Sequence, residues 1–389
     1  MVIVSPVWTR GCGRRGVPFR RARPAGRRLI AASAEVGQGH GRSAAAIRSR
    51  SPEALKMRTN CDDYPSSMGT TGALALAQVM AHCGGNPAEA VRYLSYAIAE
   101  APHDPGPYAT LAELRQTSPA ETTAALESGG LLGTIAAYAH AMFLDGEMDE
   151  AVMLLGTVVG HHPQIAWADA PWFSEPSFAE SVSADALAEA ALRTMDHGHD
   201  LAACLPHFEP WFRLMGAVCT RDPKPTAMAR MARLFRNCGR TDDAFALCDR
   251  ADAVEPVMET TVVRAVTWRG LGDNAKAVLA FEHAITLEPD NWSLYLDLAD
   301  THADQGDFTA AVAATERGLQ HEPDELTLRA ASAAYRARLH GCAADLAELI
   351  ELAPELPNEQ YGGLLIGIAC EGRGLPADLI ASALDMSTT

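Results

Sequence analysis

Five stretches of the sequence share one frame, Gly-x4-Ala-x11-Pro, and this frame restricts the fold more than any other feature of the chain. It starts at Gly85, Gly146, Gly239, Gly272 and Gly306, passes through Ala90, Ala151, Ala244, Ala277 and Ala311, and ends at Pro102, Pro163, Pro256, Pro289 and Pro323. Between alanine and proline, apolar residues recur at three and four positions. Ala277, Ala280, Phe281, Ala284 and Ile285 fall in this way on one stripe of a helix. A second stripe precedes each glycine, and before Gly306 it holds Leu294, Tyr295, Leu298, Ala299 and His302. Glycine ends that first helix by adopting the left-handed conformation without steric cost. The small alanine lets the next helix approach closely, and proline, which has no amide hydrogen, stops it. Each copy is therefore expected to be a helical hairpin.

Pro256, Pro289 and Pro323 lie 33 and 34 residues apart. A helix-turn-helix of this period resembles the tetratricopeptide repeat family, with Tyr295, Leu298, Ala299, His302, Ala311 and Pro323 closest to its small, aromatic and proline positions. The resemblance covers most of the chain after residue 70. It implies an all-α fold, a right-handed α-solenoid of antiparallel hairpins. Units are expected at residues 71–104, 132–165, 225–257, 258–291 and 292–325, with a shortened unit at 105–131 and a degraded one at 326–353. Helices within 358–387 are expected to cover the end of the stack. The domain organisation is then a basic tail (1–57), an N-terminal repeat block (58–165), an irregular aromatic-rich helical connector (166–224), a C-terminal repeat block (225–325), and a degenerate repeat with capping helices (326–389).

Charge is divided between tail and body. Residues 1–57 hold 12 Arg and Lys against Glu35 and Glu53, which leaves 20 basic and 47 acidic residues downstream, a balance of −27. An acidic body repels phosphate backbones, so no nucleic-acid partner is expected for the folded part. The tail has no period that buries a face and is expected to be disordered. Its preferred reading is a stretch upstream of a translation start at Met57 or Met68. A nucleic-acid or membrane-surface arm and an organelle-targeting peptide are the other readings. Its GQGHGRS segment lacks the first glycine and the lysine of a phosphate-binding loop. Nine cysteines without a Cys-x-x-Cys pair point to reduced thiols and a cytoplasmic protein, and no apolar run is long enough to span a membrane.

The connector concentrates Trp167, Trp172, Phe173, Phe178, Phe208, Trp211 and Phe212. These rings either pack internally to join two repeat blocks, the favoured reading, or present an aromatic anchor to a partner. His161-His162 and the Asp196–Asp200 run DHGHD are the obvious clusters of metal-ligand types. They lack a second motif at ligand spacing, so no metal or cofactor is expected. No nucleophile elbow, metalloprotease helix or calcium loop occurs, and the chain is read as non-catalytic.

In the family that the chain resembles, certain first-helix positions face bound peptide. Mapped onto this sequence they include Arg233, Arg236, Asn237, Arg269, Asp300 and Asp304. The resemblance thus implies a protein-interaction scaffold, with Arg233, Arg236 and Arg269 holding an acidic segment and Asn237 its backbone. The fuller Lys and Asn set of chaperone-binding relatives is missing. The competing reading pairs Arg269 with Asp300 or Asp304 across neighbouring helices. Two other functions stay open, a regulatory or sensory subunit acting on an effector elsewhere and an enzyme with an unfamiliar site.

Overall fold

Each frame alanine has a relative exposure of 0%, and this places the tightest helix contacts where the sequence frame puts them. The computed structural model describes residues 69–82 and 86–387. The basic tail, with every reading placed on it, lies outside the described residues, as does Gly85. Among the described residues there are nineteen α-helices and no strands. They belong to one packed unit.

The first three hairpins are α1 (Thr70–His82) with α2 (Pro87–Glu100), α3 (Pro105–Thr117) with α4 (Pro119–Ser128), and α5 (Leu132–Leu144) with α6 (Met148–His161). An irregular region follows, holding α7 (Pro176–Ser181), α8 (Ala184–Arg193) and α9 (Leu205–Arg221) with three short 3-10 turns. Five more hairpins complete the array. They are α10 (Pro225–Asn237) with α11 (Thr241–Val254), α12 (Met258–Gly270) with α13 (Asn274–Leu287), α14 (Trp292–Asp304) with α15 (Phe308–His321), α16 (Leu326–His340) with α17 (Ala343–Leu352), and α18 (Glu359–Cys370) with α19 (Ala377–Ser387).

Turn chemistry repeats as closely as the sequence does. Gly146, Gly239, Gly272 and Gly306 have φ of 82°, 78°, 79° and 77°, a region that side-chain-bearing residues enter only with strain. In each case the residue after glycine donates its N–H to the carbonyl five residues back: Glu147 to Met142, Arg240 to Phe235, Asp273 to Trp268 and Asp307 to His302. Those bonds satisfy helix-end carbonyls that otherwise have no partner. Asp273 and Asp307 then cap the next helix, accepting from the N–H groups of Lys276 and Ala310 at 3.3 and 3.0 Å. At the other end, helices stop at Glu100, His161, Val254, Leu287 and His321, each two residues before a frame proline. The residue before proline is sterically barred from continuing a helix. Tyr108 and Tyr295 fasten this linker by donating to the carbonyls of Pro102 and Pro289, at 3.0 and 2.8 Å.

The connector is a packed aromatic core rather than a displayed anchor. Trp167, Trp172, Phe173, Phe178, Phe208 and Trp211 are each exposed by 2% or less. Ring contacts lead from Phe143 of α5 to Trp172 (5.5 Å between centroids), to Phe178 (5.3 Å) and Phe173 (5.4 Å), then to Trp211 of α9 (5.1 Å). Phe212 continues the path by stacking on Phe235 of α10 at 4.4 Å. The hairpins on either side of the irregular region are thus joined through apolar rings.

Candidate functional site: a polar seam along the first helices

Helix α10 buries Ala227, Met228, Met231, Ala232, Leu234 and Phe235, and so turns Arg230, Arg233 and Arg236, three residues apart, towards a common side. Arg233 and Arg236 are half-buried. The Nε of Arg233 is shut off from solvent and has no hydrogen-bond acceptor. Arg236 directs Nε and Nη2 to Asn237 Oδ1, both at 3.1 Å. Asn237 in turn points its amide nitrogen at Met195 Sδ, 2.8 Å away. Among the described residues neither arginine has an ion-pair partner. Burial, then the Arg233 charge beside it, lowers the Arg236 guanidinium to about 10. Arg233 is shifted the same way, by burial first and then by Arg230. Both remain cations at neutral pH, and both are short of negative charge.

Facing charges on the next helices are mostly committed. Arg269 of α12 pairs with Asp304 of α14 at 2.6 Å, with side chains 16% and 17% exposed. Burial works against the Arg269 cation, but Asp300 and Asp304 outweigh it and hold the group charged. Asp300 Oδ1 accepts from the hydroxyls of Tyr335 in α16 and Tyr361 in α18, the latter at 2.9 Å. Burial pushes the Asp300 carboxyl upward, and Arg269 with the two hydroxyls works against that. This node ties four successive first helices together.

The sequence-derived residues therefore divide into two sets. Arg269, Asp300 and Asp304 belong to a structural network, the pairing that the competing reading anticipated, while Arg233, Arg236 and Asn237 form the part still lacking a counter-charge. The family positions do not include Asp297, one turn before Asp300. It is half-buried and has no side-chain hydrogen bond or ion pair among the described residues. Loss of hydration raises its carboxyl to about 7, even though Arg269, Arg236 and Arg233 pull it down. The signal was present as the i, i+3, i+7 row Asp297, Asp300, Asp304 and the i, i+3, i+6 row Arg230, Arg233, Arg236.

The histidine cluster is an internal contact. His161 stacks on His197 at 4.0 Å, and His199 Nε2 lies 3.2 Å from the His161 carbonyl. Burial and the neighbouring imidazoles, His197 foremost, lower His161 to about 4. Among the described residues no three His, Cys, Asp or Glu side chains are arranged to hold a metal ion.

A stack of helical hairpins whose first helices carry the polar groups defines an α-solenoid. Residues 269–335 match the family model of the tetratricopeptide repeat. That segment of the chain, the end of α12 to α16, carries tetratricopeptide repeat sequence. No curated protein matches the sequence. Among solved structures it is similar to a tetratricopeptide repeat protein from Parabacteroides merdae ATCC 43184, at 14% identity over 78% of this chain and 100% of that one, with a TM-score of 0.36. It is also similar to human IFIT1, as a dimer with PPP-AAAA (12% identity, 86% of this chain and 82% of that one, TM-score 0.39) and as a monomeric mutant with Gppp-AAAA (12%, 82% and 77%, TM-score 0.39).

Proposed function

We propose that the chain is a non-catalytic interaction scaffold that holds an acidic segment of a partner protein against Arg233 and Arg236. The observation carrying this reading is that two enclosed guanidinium groups lie three residues apart with no ion-pair partner among the described residues, although the chain has 47 acidic residues after position 57. A carboxylate from a partner supplies the missing charge by charge-assisted hydrogen bonds, and preformed helices bind it with little ordering cost. Asn237 positions Arg236 through its side-chain oxygen. Arg269, Asp300 and Asp304 keep the first helices in register around the pair.

A protein partner is favoured over a nucleic acid because the body's −27 balance opposes a phosphate backbone beyond the reach of these two groups. Among the described residues no helix is long and apolar enough to cross a membrane. The free thiols Cys204, Cys219, Cys238, Cys248, Cys342 and Cys370 agree with a reducing compartment, and we place the protein in the cytoplasm.

The test is affinity capture from the native lysate with the full chain and with Arg233→Glu/Arg236→Glu, at 50 and 300 mM salt, with a nuclease-treated arm. Partners that bind the parent are expected to be lost from the double reversal and weakened by salt. Equal recovery by both proteins overturns the assignment. Loss of the partner on nuclease treatment shows a nucleic-acid ligand instead.

A further inference from the structure

The proposed acidic ligand meets a second uncompensated charge in the same seam. Asp297 feels the fields of Arg269, Arg236 and Arg233, yet among the described residues it forms no ion pair or side-chain hydrogen bond with any of them. If these groups existed to neutralise one another, burial would favour direct pairs, as it does for Arg269 with Asp304. The other two acids of the Asp297 row are held, and Asp196, whose charge also reaches Arg233, is exposed beyond the end of α8. Asp300 is fixed by two tyrosine hydroxyls and Asp304 by Arg269. The seam therefore keeps an unpaired pair of cations and an unpaired anion apart.

Resting on the reading above, we propose that the seam recognises a mixed-charge segment, in which an acidic side chain is held by Arg233 and Arg236 and an adjacent basic side chain is held by Asp297. A purely acidic segment would satisfy the arginines but bring a second negative charge towards Asp297. A segment carrying Lys or Arg beside the acid compensates both sides at once. Specificity then comes from repulsion of the wrong ligand as much as from attraction of the right one. The two tyrosines hold Asp300 away from this role, which leaves Asp297 as the reader of the cation. Burial contributes in the same direction, because it disfavours a bare Asp297 carboxylate and a cation in contact removes that penalty.

The experiment uses the full chain and two fluorescein-labelled Gly-Ser peptides of equal length, one with a central Glu-Glu and one with a central Glu-Lys, followed by anisotropy at low salt and pH 8. The parent is expected to bind the Glu-Lys peptide on the order of fivefold more tightly. Asp297→Asn is nearly isosteric and should abolish or reverse that ratio, weakening Glu-Lys and strengthening Glu-Glu. Circular dichroism confirms that the helix content is kept. An unchanged ratio in Asp297→Asn, or a parent that prefers Glu-Glu, overturns the mixed-charge reading while acid recognition stands. If Arg236→Glu binds both peptides as the parent does, or the parent binds neither, acid recognition at the arginines has failed and this inference fails with it.

Discussion

Asp297 shows how a single side chain without a partner leaves a mark on stability. Its folded pKa of about 7 lies above the 3.8 of an ordinary carboxyl, chiefly because burial strips its hydration. Its contribution to folding is therefore most favourable below pH 4 and is lost as pH rises through 7. Asp297→Asn is expected to raise the melting temperature at pH 8 by the equivalent of about 1–2 kcal/mol, after discounting for solvent in the seam, and to change little at pH 5. The difference between the two proteins is the quantity to measure, because His140 and His161, both lowered to about 4 with burial as the main cause, add a slope of opposite sign between pH 6.5 and 4. A melting difference that does not depend on pH would show that Asp297 is ordinarily solvated. At this scale the sequence was half legible. Mapping onto family positions found Arg233 and Arg236 but passed over Asp297 and Arg230. Both continue a three-residue spacing already visible in the string, and what no string shows is which carboxylates the tyrosines and Arg269 have already taken.

Hairpins were the most legible element, because each of their constraints is local. A left-handed glycine, a contact alanine and a stopping proline act within 18 residues, so periodicity exposes them without knowledge of the rest of the fold. The frame also predicts where substitutions hurt. Ala277, at 0% exposure, admits no added volume, and Ala277→Trp is expected to cost on the order of 1–3 kcal/mol or more in denaturant unfolding. Thr267 is equally buried, but its hydroxyl only adds a 2.6 Å bond to the Val263 carbonyl within the same helix. Thr267→Ala should therefore cost no more than about 1 kcal/mol. Equal losses would mean the packing face has been misassigned. Gly306→Ala isolates the backbone term. Nothing lies within 4 Å of the added methyl, so an expected loss of about 1 kcal/mol reports the strain of φ +77° alone. The region between α6 and α10 was less legible for the converse reason. Its prolines and aromatics rule out a regular hairpin without saying which rings meet, since those meetings join residues as distant as Phe143 and Trp211.

Across the whole molecule, nearest-neighbour packing makes the array only as cooperative as its weakest junction. The junctions between successive hairpins are direct, but α6 and α10 communicate through the irregular region, where α8 packs against both and the aromatic path runs beside it. Trp211 lies midway along that path, fully buried, touching Phe173 on the connector side, while its neighbour Phe212 stacks on Phe235 of α10. Removing the indole leaves a cavity that typically costs about 3–5 kcal/mol. Because the loss falls on the junction and not within either set of hairpins, Trp211→Ala should do more than lower one transition. Calorimetry is expected to show two separated transitions, the later one belonging to the hairpins after residue 225, of which those from α12 onward share a core from Val262 to Ala383. The double reversal at Arg233 and Arg236 leaves the aromatic path untouched and should leave a single transition. A Trp211→Ala protein that melts in one step, displaced uniformly, would show that the aromatic path is not what couples the hairpins on its two sides.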